Sequence, residues 1–483
     1  MKAFTEPLLS LAGFEEMTKT AEKSSGLISV TGCIDAQKSQ MIYAFGGHRK
    51  NKLIVTFGEQ KAKELYDEYS FFDKEVVYYP SKDVLFYQSD IRGNLLTAER
   101  IRALKAIREQ ERVTLVTTFD ALMNTMAPIE KMWENVLTLE QGQLLDLKEI
   151  QAALIRMGYE KEYQVQTMGQ FSVRGGILDV FPLTEENPIR IELWGDEIDT
   201  IRYFDCESQK SIENTDRVSI YPAAELVLSD EEKAGGIEKL KSEAKRVSDK
   251  LRKQMKTEEA HRVREMADEL TEEWGELSMY AGMDAFLSYF FDERVGILDY
   301  FNPSDSLIFF DELTRCAEQG KLTETEFSES MKQRLAMGYI LPGQMNGLFT
   351  EKEIVAKLGK YSCIALAALD NKANGLHQLG SYGIHCQSVS PYNNSFELLI
   401  KDLKRYKKNG YRVILLSGSR TRAKRLSEDI TDQGITCFYT ENYDHELFEG
   451  QIMVCYGKVR RGFEYPILKF AVITESDIFG AQQ

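Results

Sequence analysis

Residues 32–39 read Gly-Cys-Ile-Asp-Ala-Gln-Lys-Ser, directly after a short apolar run and ahead of a helical pattern. The nearest chemical template is GxxxxGK[ST], in which backbone amides cradle phosphates, the lysine reaches the terminal phosphates and the hydroxyl ligates Mg²⁺. Gly32, Lys38 and Ser39 fit it. Gln37 does not: it stands where a second glycine lets the backbone curl around an anion. The segment therefore reads as a degenerate nucleotide-binding loop. A second segment, Ile308-Phe309-Phe310-Asp311-Glu312, is an apolar run ending in an acidic pair. Nucleotide motors hold Mg²⁺ and position water at such a place. Alone the pattern is common, and it gains meaning only beside the loop at 32–39. Arg460 and Arg461 are the nearest resemblance to an arginine finger, but a solvated pair of charges is the simpler reading. No residue is assigned a catalytic role.

Metal chemistry finds no support. The five histidines and seven cysteines form no HExxH or CxxC spacing, and the adjacent His385 and Cys386 read as structural. An odd number of scattered cysteines fits a reducing, cytoplasmic compartment better than a disulfide framework.

The third chemical feature is a surface. The chain runs Arg-Gly-Gly-Ile-Leu-Asp-Val-Phe-Pro over 174–182, then Pro-Ile-Arg-Ile-Glu-Leu-Trp-Gly-Asp-Glu-Ile-Asp over 188–199. Strand alternation puts Ile189, Ile191 and Leu193 on one face, to pack against a helix at 147–157, and Arg190, Glu192 and Trp194 on the other. Tryptophan beside arginine on a solvated face is the composition of an interface hot spot. The competing arrangement has Trp194 covering the sheet edge and Arg190 paired with Glu192. The residues by themselves leave both open.

Several elements must position these groups. Residues 26–32, 53–58, 76–80 and 113–117 read as strands, alternating with helical patterns at 37–45, 59–69 and 96–109, which implies a parallel sheet with crossovers. From 136 to 222 the texture changes to successive strands with tight turns, an inserted antiparallel α+β module. The charged stretch 229–275 reads as one long solvated helix, with a partner-binding coiled segment as the alternative. Residues 306–311 (SLIFFD) would return the chain to the first sheet. A second, smaller α/β unit is expected over 360–483, with strands at 362–368, 412–417, 452–456 and 470–474. The expected class is thus α/β: a degenerate P-loop, RecA/helicase-like parallel-sheet domain (1–135 and 223–350), an inserted α+β domain (136–222) and a small α/β domain (360–483).

Composition limits the functions. With 43% hydrophobic and 28% charged residues the chain is of the globular type, and a formal net charge of −16 argues against wrapping nucleic acid non-specifically. The basic runs at 401–408 and 420–425 read as solvated helix faces. Residues 1–20 read as an amphipathic helix without the apolar core of a signal peptide, and no run of 18 apolar residues exists to span a membrane.

The run 174–205, with Ser208-Gln209 just beyond, resembles the UvrA-binding domain shared by the UvrB and Mfd families. Its hallmark there is RGG or a close variant, then [ILV]D[ILV]FP, a positively charged strand, an acidic turn and a closing strand ending in FD. The resemblance extends outward. Residues 1–135 resemble the first half of a UvrB-like domain with a decayed P-loop. Residues 223–350 resemble its second half, with Asp311-Glu312 as the relic of the Mg²⁺ motif. Residues 360–483, including GFEYP and ITESDIFG, resemble the small domain that follows in Mfd, the bacterial transcription-repair coupling factor. Two departures matter. The segment 79–97 is too short for the aromatic hairpin with which UvrB wedges into damaged DNA, and the sequence stops at 483, before the parts of the family that bind RNA polymerase and drive translocation.

The resemblance implies that UvrA is contacted by the RGG arginine, the strand arginine and the aromatic four residues later. Here these are Arg174 and Arg190, matching by identity and spacing, and Trp194, matching by position and class. The face is thought to be hidden in the full-length family by its own C-terminal domain, and would be open here. The implied function is an adaptor in nucleotide-excision repair that recruits UvrA to stalled transcription sites without motor activity. No cofactor is expected in this chain, ATP and Mg²⁺ belonging to the full-length family protein, an ATP-dependent DNA translocase. RNA polymerase and double-stranded DNA would be partners only through parts absent here. Two alternatives remain. One is a residual ATP-binding or hydrolysing unit in which Lys38 grips phosphate, Ser39 ligates Mg²⁺ and Asp311-Glu312 completes the site. The other is a fragment of the full translocase.

Overall fold

Short runs of apolar and β-branched residues, buried on both faces in the central strands, build the first sheet of the computed structural model, which describes residues 1–46, 49–84, 91–276, 283–370 and 375–480. Seven strands lie in the order Gln378–Gly383, Gly26–Thr31, Ser362–Leu366, Ser306–Asp311, Asn51–Thr56, Val113–Thr118 and Val76–Tyr79, and every neighbouring pair is parallel. Parallel strands require covered faces and crossover connections, hence their near-continuous apolar sequences. Ser306–Asp311 does rejoin this sheet, beside Asn51–Thr56.

One boundary must be corrected. Ser362–Leu366, expected to open the second unit at 360, sits between Gly26–Thr31 and Ser306–Asp311 in the first sheet, and Gln378–Gly383 forms that sheet's edge. A fully buried strand carries no local mark of which sheet it joins; its partners are chosen by tertiary pairing. The second sheet comprises Gln387–Ser388, Phe463–Tyr465, Phe470–Thr474, Arg412–Ser417, Ile452–Tyr456 and Phe438–Tyr439, in that spatial order.

The two sheets share a core. Ile414, Leu416, Met453 and Cys455 of the second pack in one buried cluster with Ile28, Ile54 and Phe309 of the first. The chain's first residues fill the seam. The stretch expected as one amphipathic helix is broken into a helix Lys2–Thr5, a 3₁₀ turn Glu6–Ser10 containing Pro7, and a helix Phe14–Lys23 entered through Gly13 at φ +83°. Proline removes a helix donor and glycine supplies the left-handed entry, so no single helix can form. Phe4 is fully buried, edge-on to Phe71 and Phe72 at 5.7 and 5.5 Å. Its carbonyl accepts from Gln40 Nε2 at 2.6 Å, and Gln40 Oε1 accepts from Tyr465 Oη at 2.9 Å.

Residues 230–276 also differ from the expected single helix. Two helices, Asp230–Lys253 and Thr257–Glu276, pack against each other around Leu240, Ala244, Leu251, Ala260, Val263, Ala267 and Trp274. Met255, at φ +64°, turns the chain between them. The apolar residues that a solvated helix would expose are the seam of a hairpin. Of the segment 79–97, residues 85–90 lie outside the described residues, so its comparison with the UvrB hairpin rests on sequence length alone. Among the described residues no helix is long and apolar enough to cross a membrane.

If the two sheets fold on one core, Phe4→Ala should lower stability by about 3–5 kcal/mol and shift a single urea transition. Two separable transitions, only one of them shifted, would contradict the shared core.

Candidate functional site

Gly32, Lys38, Ser39, Asp311 and Glu312 come together where the strands Gly26–Thr31 and Ser306–Asp311 end. Gly32 has φ +82°, and a Cβ there would run into the carbonyl oxygen of Ile384. The helix Asp35–Ala44 then begins, and Gln37 Oε1 accepts the Ile34 backbone amide at 3.1 Å. The residue that replaced glycine thus spends its side chain capping the helix start. Lys38 is buried; its ammonium lies 2.6 Å from Asp311 Oδ1, 3.1 Å from Glu312 Oε1 and 3.5 Å from Asp35 Oδ1. Burial alone would push its pKa down, but Asp311 and then Glu312 outweigh it and hold the ammonium well above its ordinary value. Asp311 Oδ2 accepts from Thr56 Oγ1 at 2.8 Å. Glu312 adopts a left-handed conformation, φ +56°, and its Oε1 also accepts the Ala368 amide at 3.1 Å. The charges are therefore satisfied internally. Ser39 Oγ is the exception, buried without a hydrogen-bond partner among the described residues. Arg460 is paired with Glu64 at 3.2 Å on the surface.

The insert displays a different kind of site. Its main sheet runs Ser211–Thr215, Glu197–Phe204, Ile189–Trp194, Ile177–Val180, Gln170–Arg174 and Glu160–Lys161, antiparallel except for the last pair. Strands Leu137–Glu140 and Arg217–Ile220 pair with each other and clasp its entrance to its exit. The helix Leu147–Arg156, capped by Asp146, packs Ile150 and Leu154 against Phe171, Leu178, Ile189 and Ile191. That leaves the other face for Arg174, Arg190 and Trp194.

Each of the three is held differently. Arg174 precedes the hairpin turn at Gly175 (φ +58°), is 44% exposed, and lies 3.7 Å from Asp179 Oδ2. Arg190 is drawn into the sheet. Its Nε and Nη2 donate to the two carboxylate oxygens of Asp179 at 2.8 and 3.0 Å, and Nη2 also donates to Gln209 Oε1 at 2.8 Å. The guanidinium stacks 4.3 Å from the centre of the Phe204 ring. The alternative pairing of Arg190 with Glu192 is thereby corrected: the cross-strand register sets Arg190 opposite Asp179, and Glu192 instead accepts from Arg202 at 2.6 Å. Trp194 does not cover the sheet edge; it is 82% exposed, beside the hairpin turn at Gly195 (φ +62°). Gln209 entered the sequence reading only through the resemblance, without a role, and Asp179, Arg202 and Phe204 are parts of this face to which it gave no role. Only strand register, which single-strand alternation does not supply, would have paired them.

Two arginines and an exposed tryptophan thus share one face of an antiparallel sheet, in a segment that the comparisons with known proteins also match. The family described as "UvrB interaction domain" matches residues 137–226. The wider chain is 28% identical over 433 residues to a transcription-repair-coupling factor of Bacillus subtilis, covering 88% of this chain and 36% of that protein. It is 26% identical to the factor of Staphylococcus haemolyticus, over 94% of this chain and 38% of the relative, and 26% identical to that of Staphylococcus aureus strain MRSA252, over 97% and 39%. The chain thus spans well under half the length of these curated relatives. A UvrB interaction domain within a chain so matched is consistent with the N-terminal part of a transcription-repair-coupling factor.

The buried pair yields a prediction. Lys38→Met removes the main partner of a buried carboxylate and should cost about 3–5 kcal/mol in urea unfolding. Adding Asp311→Asn to it should restore part of that loss. An unchanged midpoint for Lys38→Met would mean that Asp311 is not held by this contact.

Proposed function

We propose that this chain acts as an adaptor in nucleotide-excision repair, presenting the outer face of its insert to UvrA as the N-terminal portion of a transcription-repair coupling factor, without motor activity of its own. The observation that carries the reading is the arrangement of Arg174, Arg190 and Trp194 on one face, with Arg190 fixed by Asp179 and Gln209 while Trp194 stands 82% exposed. Fixing a side chain before binding removes part of the entropy lost on association. Among the described residues the hydrogen bonds of Arg190 use Nε and Nη2, which leaves Nη1 for a partner's acceptor. Arginine and tryptophan are the residue types that dominate interface energies.

The first sheet serves in this reading as a degenerate P-loop scaffold of the RecA/helicase type. The residues present do not suit a nucleotide: Gln37 replaces the glycine of the phosphate nest, and Lys38 is committed to Asp311 and Glu312. ATP and Mg²⁺, RNA polymerase and duplex-DNA translocation would belong to other parts of a coupling factor, and the setting is the bacterial cytoplasm.

Titration of UvrA by calorimetry tests the reading. The chain should bind, and the double variant Arg190→Ala, Trp194→Ala should lose about 2 kcal/mol or more, roughly a thirtyfold rise in Kd. No binding by the unaltered chain, or equal binding by the variant, would reject it. Titration with ATP at millimolar concentration should give no heat; a signal abolished by Lys38→Ala would restore a nucleotide role.

A further inference from the structure

The helical hairpin 230–276 carries a charge distribution that the docking face does not use. Between residues 245 and 256 stand six cations, Lys245, Arg246, Lys250, Arg252, Lys253 and Lys256, against one carboxylate, Asp249, in a chain whose net charge is −16. All six are exposed, and none forms an ion pair among the described residues. On the facing helix Glu258 lies 3.7 Å from Arg262 and Glu265 lies 3.8 Å from His261; its remaining carboxylates, Glu259 apart, lie from Asp268 onward, away from the turn at Met255. The basic runs of the second sheet's helices differ. There Arg405 pairs with Asp402, Arg420 with Glu441 and Arg422 with Glu475, at 3.3–3.4 Å, and Lys407 donates to the Thr436 carbonyl.

We propose that the tip of this hairpin is a docking surface for the phosphate backbone of duplex nucleic acid. Helix geometry spreads the cations from Lys245 to Lys253 over about 12 Å of axis. A duplex presents one negative charge per about 1.7 Å, so several phosphates lie within reach of one rigid element. The helices bear no exposed Phe, Tyr or Trp ring, since Trp274 is buried, which leaves only the His261 imidazole as a stacking surface for single strands. Met255 is the one large apolar side chain exposed on them, too little for a membrane surface. Protein interfaces are depleted in lysine, which supplies four of the six cations here.

Fluorescence anisotropy of the full chain with a labelled duplex of about 20 base pairs, starting near 50 mM salt, tests the proposal. The expected result is salt-dependent binding that falls at least tenfold for Arg246→Glu, Lys250→Glu, Lys253→Glu, with the log–log salt slope shallower by about 3. Lys401→Glu, Lys404→Glu, Lys408→Glu should bind as the unaltered chain does. Should the hairpin variant shift its urea midpoint, Lys250→Gln, Lys253→Gln replaces it, with a slope change of about 2. No binding by the unaltered chain, equal binding by the hairpin variants, or loss confined to the 401–408 variant would each overturn the assignment. So would displacement of the duplex by polyglutamate as effectively as by unlabelled duplex, which would point to an acidic protein instead.

Discussion

The ion pair between Lys38 and Asp311 joins residues 273 positions apart at the heart of the first sheet. The insert and the helical hairpin are both excursions of the chain between those two residues. A buried pair of this kind contributes little net stability, because desolvation offsets the attraction. It does impose registry: neither partner can leave without stranding the other, so the strands Gly26–Thr31 and Ser306–Asp311 are tied at their ends across the intervening Ser362–Leu366. Thr56 extends the tie to Asn51–Thr56. The groups that resemble a nucleotide centre in sequence act here as a fastening within the fold.

With that centre closed, the chemistry moves outward. The insert is joined to the first domain through its clasped ends and through the helix Ile91–Glu109, where Lys105 meets Glu185 at 2.8 Å and Arg102 donates to the Leu183 carbonyl at 3.0 Å, and its own core of Leu154, Phe171, Leu178 and Ile191 supports the outer face. On that face Asp179 does for Arg190 what Asp311 does for Lys38, but with a different consequence. Lys38 is enclosed, whereas Arg190 keeps an edge of its guanidinium at the surface, sharing Asp179 with Arg174. One network closes on itself inside the fold; the other holds the face that the proposed function offers to a partner.

Much of this was legible in the sequence. Apolar runs bounded by glycine and polar turns located six of the seven strands of the first sheet, all but the exposed edge strand Gln378–Gly383, and the period-two alternation over 189–194 placed Arg190 and Trp194 away from the packed helix. What failed did so for physical reasons. Ser362–Leu366 has the same local pattern whichever parallel sheet it enters, so its place between Gly26–Thr31 and Ser306–Asp311 depends on pairing across more than 300 residues. The break at Met255 has no glycine or proline to announce it. The partner of Arg190 is a matter of register between strands: the sequence suggests Glu192, two residues away, yet side chains at that spacing point the same way along the strand, while Asp179 lies directly across. Pro7 was a legible signal, and it outweighs the amphipathic spacing of the first twenty residues.

Hydrogen exchange of the chain, free and with UvrA added, addresses the central claim most directly, since it reports every backbone amide at once. Protection should appear over the strands Gln170–Arg174, Ile189–Trp194 and Glu197–Phe204, and leave 32–39 and 306–312 as they are in the free chain. Protection centred on 32–39, or on the second sheet with the insert unchanged, would contradict the account by showing that the partner reads the enclosed centre or another face.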